Sequence, residues 1–133
     1  MPSVVRIPNL HDIAAAFIGR PYADEQCWQL VHDLLQAGGF TDVAAEPAQA
    51  IAKVAEVWFC DDPRNPLGLL QPWDWLLLAK QGKPSNGAPV GHVGLVVDES
   101  TFIHVRPGCG ACIEPLRRMR PKLIQVARLR CLL

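Results

Sequence analysis

The hydrophobic period changes once along this chain, and that change limits the folds open to it. In the first part the apolar residues recur at helical spacing. Cys27, Leu30, Val31, Leu34 and Leu35 follow the i, i+3, i+4, i+7, i+8 rule, and Gly38-Gly39 ends the run. This spacing predicts an amphipathic helix whose first turn lies at or near Cys27. A shorter helical pattern over residues 13–18 is stopped by Gly19 and Pro21, and residues 44–57 form another, entered at Glu46-Pro47. From Trp58 onward the pattern is that of strands. Residues 74–78, 92–97, 101–105, 112–114 and 123–129 are short apolar or alternating runs. Turn-rich residues separate them at 61–66, 82–89 and 98–100. Helices first and strands afterwards predict an α+β fold in which N-terminal helices pack on a small antiparallel sheet. At 133 residues, with no internal repeat, linker or low-complexity segment, the expectation is one domain over residues 1–133.

Composition and charge narrow the function classes. Half the residues are apolar and 20% are charged, the balance of a globular chain able to bury a core without staples. No apolar run reaches the ~18–20 residues needed to cross a bilayer, so no membrane insertion is expected. The start, Met1-Pro2-Ser3-Val4-Val5-Arg6, does not read as a secretory signal, and synthesis and folding in the cytoplasm are expected. Net charge is zero, yet the last thirty residues are basic: Arg106, Arg117, Arg118, Arg120, Lys122, Arg128 and Arg130 stand against Glu114 alone. They alternate with apolar residues and no aromatic residue lies among them to stack on bases, so they read as the solvated face of a packed segment. Nucleic-acid binding is not expected.

Five cysteines, Cys27, Cys60, Cys109, Cys112 and Cys131, are an odd number and argue against a disulfide framework. Cys109-Gly110-Ala111-Cys112 has the spacing of a metal knuckle or a redox pair. It sits in a glycine-rich turn rather than between a strand and a helix, and no second paired motif accompanies it. Small apolar residues in a hairpin turn are the plainer reading, and no metal is assigned.

Cys27 carries more chemistry. Unpaired N–H groups and the positive end of the helix dipole favour a thiolate at a helix start, which is where a nucleophilic cysteine belongs. His92 begins one strand and His104 lies near the end of the next. A hairpin centred near Glu99 sets His92 opposite a position near 106, one diagonal step from His104. Both then lie on one sheet face, where one imidazole can orient the other. On the residues alone, Cys27 reads equally as a small core residue, His104 as an edge histidine and His92 as a strand cap. His11 and His32 have no such context, and His32 reads as solvated.

At these residues the chain resembles the NlpC-like cell-wall endopeptidases, which have a papain-like fold. The matching stretches are Cys27-Trp28-Gln29-Leu30-Val31, His92-Val93-Gly94-Leu95-Val96-Val97 and Phe102-Ile103-His104-Val105, with the twelve-residue histidine spacing of that family. Leu70-Gln71-Pro72-Trp73-Asp74-Trp75-Leu76-Leu77 resembles the strand that precedes the histidine, with Asp74 matching, and the stretch from Arg106 onward resembles the tail of phage and prophage members. The resemblance implies a cysteine peptidase, a peptidoglycan hydrolase with a Cys-His-His triad: Cys27 as nucleophile, His92 as base and His104 orienting His92. It implies a substrate-lining role for Tyr22, an oxyanion donor in the Cys27 backbone N–H, and no metal or organic cofactor. Its substrate would be the peptide stem of bacterial peptidoglycan, and its place of action the cell wall, carried there with phage tail proteins as a virion tail component. Gln26 and Gln29 stand where the family usually has Asp and Gly. Those departures keep one alternative in view, a catalytically weak or inactive structural tail-assembly module of the same fold; a secreted antibacterial amidase effector sharing the fold and the Cys-His core is another.

Overall fold

The computed structural model describes residues 9–59, 70–79 and 90–133. The chain opens with helix α1, Leu10–Phe17, whose first turn is capped by Asn9 Oδ1 accepting from the His11 N–H at 2.9 Å. Gly19 follows at φ +82°, and residues 19–20 then pair with a later segment at Ala111: the Gly19 N–H donates to Ala111 O and the Ala111 N–H donates to Arg20 O. A short 3-10 turn, Asp24–Gln26, leads into helix α2, Cys27–Ala37. Helix α3, Pro47–Val54, runs directly into strand β1, Ala55–Phe59. Then come β2 (Trp75–Ala79), β3 (Val90–Val96), β4 (Thr101–Arg106), β5 (Gly110–Pro115), the single turn α4 (Leu116–Met119) and β6 (Leu123–Leu129).

The six strands form one sheet in the order β1-β6-β2-β3-β4-β5, and every pairing is antiparallel. The α+β expectation is met, with helices first and an antiparallel sheet after. Its two faces differ. On one, Leu30, Val31, Leu34 and Leu35 of α2 bury against Leu77, Val93, Leu95, Ile103 and Val105, with α1 and α3 beside them. Each such side chain contributes about 1.5–3 kcal/mol when fully buried. The other face is smaller: Leu76, Leu78, Val96, Phe102 and Val126 are covered by Leu116 and Met119 of α4 and by Leu123. The segment after α1 shields the edge at β5, where Gly110 is obligatory. It has φ +70°, and a Cβ there would lie 2.1 Å from Arg20 O. Among the described residues no helix is long and apolar enough to cross a membrane.

Several sequence expectations are corrected. The third helix ends at Val54, and residues 55–57, expected to be helical, belong to β1 because they find a partner in β6. His32 is not solvated; it is half-buried, with Nε2 3.0 Å from Val43 O. Arg128 is not part of a solvated basic face: it pairs with the fully buried Asp74 through Nε to Oδ1 and Nη2 to Oδ2, each at 2.7 Å. Arg117, Arg118, Arg120 and Lys122 are exposed as expected. The turn-rich segments 61–66 and 82–89, and Cys60, lie outside the described residues.

Candidate catalytic site

The β3–β4 hairpin has the expected centre, with Leu95 opposite Ile103 and Val96 opposite Phe102. The turn between the strands is tied by Asp98 Oδ1, which accepts from the Ser100 and Thr101 N–H groups and from both hydroxyls. Strand alternation places His92 and His104 on one face, and their side chains meet with His92 Nε2 2.8 Å from His104 Nδ1. The second hairpin extends the line. Phe102 opposes Glu114 and His104 opposes Cys112, so Glu114 sits diagonally from His104, and its Oε2 lies 2.6 Å from His104 Nε2. Arg106 and Arg118 approach the other carboxylate oxygen at 3.5 and 3.6 Å. The Phe102 ring lies 4.6 Å from that of His104 and limits its rotation.

This line of contacts fixes where the protons are. A carboxylate can only accept, so His104 donates from Nε2 to Glu114. Burial holds the His104 pKa below its ordinary value, against the opposing pull of Glu114, so the ring is uncharged at pH 7. A neutral ring with its proton on Nε2 has a lone pair on Nδ1, and His92 must donate to it from Nε2. The hydrogen that His92 gives to this bond sits on Nε2, which leaves Nδ1 as the ring's second nitrogen. Glu114 thus sets the tautomer of a ring it does not touch.

Cys27 is the first residue of α2. It is half-buried and packs with the helix-side cluster, whereas both histidines lie on the opposite face of the sheet. The connection runs round the strand ends. The 3-10 turn just ahead of Cys27 packs on β4, and Asp24 lines a cavity of about 280 Å³ together with His92, His104, Glu114, Arg118 and Lys122. Cys27 takes no part in the His92–His104–Glu114 hydrogen bonds and does not line that cavity. The structure therefore unites two of the three expected triad members and sets the third at the start of the neighbouring helix.

Tyr22 donates its Oη hydrogen to Asp33 Oδ2 at 2.7 Å. Burial, with the bond to Asp33, pushes its pKa up to about 12, so it remains a phenol. It does not line the cavity of the histidines. Gln29 Nε2 donates to the other oxygen of Asp33, and Gln26 Oε1 accepts from the Ala23 N–H. The two glutamines are used locally, Gln26 as a brace of the turn before Cys27. Sequence reasoning placed Glu114 in a strand but gave it no role. The signal was the Pro107-Gly108-Cys109-Gly110 turn, which pairs β4 with β5 so that even-numbered residues of both share the histidine face. Comparison with protein-family models gives no match to this chain, and comparison with curated proteins gives none either.

Proposed function

We propose that the chain is a cysteine peptidase of the NlpC-like, papain-fold type, cleaving an amide bond in the peptide stem of peptidoglycan. The observation that carries this reading is the His92–His104–Glu114 line on β3, β4 and β5, with the helix that begins with Cys27 packed on β3 and β4. His92 takes the Cys27 proton, and the thiolate attacks the carbonyl carbon. The tetrahedral oxyanion is held by backbone N–H groups that include that of Cys27. His92 returns its proton to the leaving amine as the C–N bond breaks, leaving a thioester. Water, deprotonated by His92, hydrolyses the thioester and restores the thiol. The phage-tail setting, action at the cell wall and the role of Tyr22 rest on the resemblance.

A second reading, a structural module of the same fold without turnover, is favoured by the packing of Cys27 with the helix-side core and by its absence from the histidine cavity. One experiment separates the two. Wild type and Cys27→Ala are incubated with peptidoglycan fragments of several stem types, and new free amines are measured. Release by the wild type alone supports the peptidase. No release by either protein, with a Cys27 thiol that alkylates only near the free-thiol pKa of about 8.5, overturns it.

A further inference from the structure

We propose that His104, Cys112 and Glu114 form a binding site for a zinc ion, and that occupancy reverses the hydrogen bond between the two histidines. One ligand atom from each residue, a ring nitrogen, the thiol sulfur and a carboxylate oxygen, lies within 4.8 Å of the others. Tetrahedral zinc with these donors needs ligand atoms about 3.3–3.8 Å apart, given bonds of about 2.0–2.3 Å, so His104 Nε2 and Glu114 Oε2, now 2.6 Å apart, open by under about 1.5 Å to admit the ion between them, with the Cys112 sulfur within 4.8 Å of both. The ladder supplies the convergence: Cys112 stands directly opposite His104, and Glu114 lies two residues further along the same face. A mixed thiolate, imidazole and carboxylate set suits zinc better than calcium or magnesium, which take oxygen alone. His104 and Glu114 line the cavity, which leaves the fourth position to water. Arg106 and Arg118 engage Glu114 Oε1 and are more than half exposed, so Oε2 remains for the metal and the guanidiniums can swing away. The site is not the Cys109–Cys112 knuckle of the sequence, because Cys109 is exposed in the turn and outside this cluster.

The reversal follows from counting protons. Zinc on His104 Nε2 displaces the hydrogen given to Glu114, so the ring carries its hydrogen on Nδ1 and donates it to His92 Nε2. A metal-bound histidine commonly donates its other N–H in this way. His92 must then hold its own hydrogen on Nδ1. Two rings change tautomer with no net loss of charge, and the one proton released is that of the Cys112 thiol. The consequence, that zinc silences His92 as a base, rests on the peptidase reading; the metal site does not.

Cobalt(II) added to the full chain is the probe, because thiolate coordination gives a sulfur-to-cobalt charge-transfer absorption that needs no activity assay. The expected result is a band that zinc displaces, that Cys112→Ser abolishes, and that persists in Cys109→Ser and Cys27→Ala. Glu114→Gln keeps the band but weakens binding by at least about tenfold, the least expected when a ligand outranks an outer-shell partner. That second variant decides the matter should Cys112→Ser fail to fold. A band that survives Cys112→Ser, disappears in Cys27→Ala, or binds as tightly in Glu114→Gln overturns the site. The imidazole ¹⁵N shifts of His92 test the reversal: zinc moves its hydrogen from Nε2 to Nδ1, and an unchanged tautomer overturns that half.

Discussion

Asp74 and Glu114 are both carboxylates fastened to the sheet, and they serve opposite ends. Asp74 is fully buried. Its oxygens receive the Arg128 guanidinium of β6 through two bonds and the Gln71 N–H through a third at 3.0 Å. It locks the turn entering β2, in which Trp73 is held at φ +77° with its ring seated against Gly38 and Phe40. Glu114 has one oxygen on a buried imidazole and the other facing exposed guanidiniums, on the wall of a cavity. A closed ring of donors leaves a carboxylate nothing to do but hold. An open side lets the same group set the proton on a ring, and through it on a second, half-buried ring of the same cavity.

The comparison breaks most sharply at Asp74. Asp74→Ala removes the buried carboxylate that takes two bonds from Arg128 and should cost about 3–5 kcal/mol in denaturant unfolding. Replacing both partners by apolar residues should cost far less, and equal costs would mean that the pair does not act as a unit. Glu114→Ala should instead spare most of the stability and, on the proposed peptidase reading, lower kcat/KM on peptidoglycan fragments about 10–100-fold, as expected when an orienting partner is lost. Glu114→Gln, which keeps an acceptor oxygen, should recover much of the rate. Gly94→Ala tests the support of His104, since the new Cβ would lie 2.9 Å from the Phe102 ring; a cost of about 1–3 kcal/mol in thermal unfolding is expected, together with a disturbed His104.

Acid separates the two regions more gently. Burial depresses the folded His104 pKa below the ordinary 6.5. The unfolded chain therefore takes up a proton that the folded chain refuses as pH drops below that value. Stability should fall from pH 6.5 downward until folded His104 itself titrates, and His104→Gln should remove that part of the slope. A slope unchanged in the variant would refute the assignment. Arg118→Ala should have the smallest effect, under about 1 kcal/mol, because its pair with Glu114 is solvent-exposed on the arginine side.

Much of this was legible in the residues. The 3.6-residue period placed the first turn of α2 at or near Cys27, and the alternation around Glu99 brought His92 and His104 to one face. Strand β1 was not legible, because five residues after a helical run acquire their meaning only from the backbone of β6. Arg128 looked like one more solvated cation, since nothing local tells a surface arginine from one aimed at an aspartate 54 residues earlier.

Local period and turn chemistry thus determined the elements and the pairing within hairpins, because both are set by neighbours a few residues away. Three matters were left to the tertiary structure: the buried Asp74–Arg128 lock, Glu114 as the end of the histidine line, and the face of the sheet on which Cys27 packs. Each depends on which distant strand or helix comes to lie alongside, and that choice is made by burying the whole core at once rather than by any short stretch of chain.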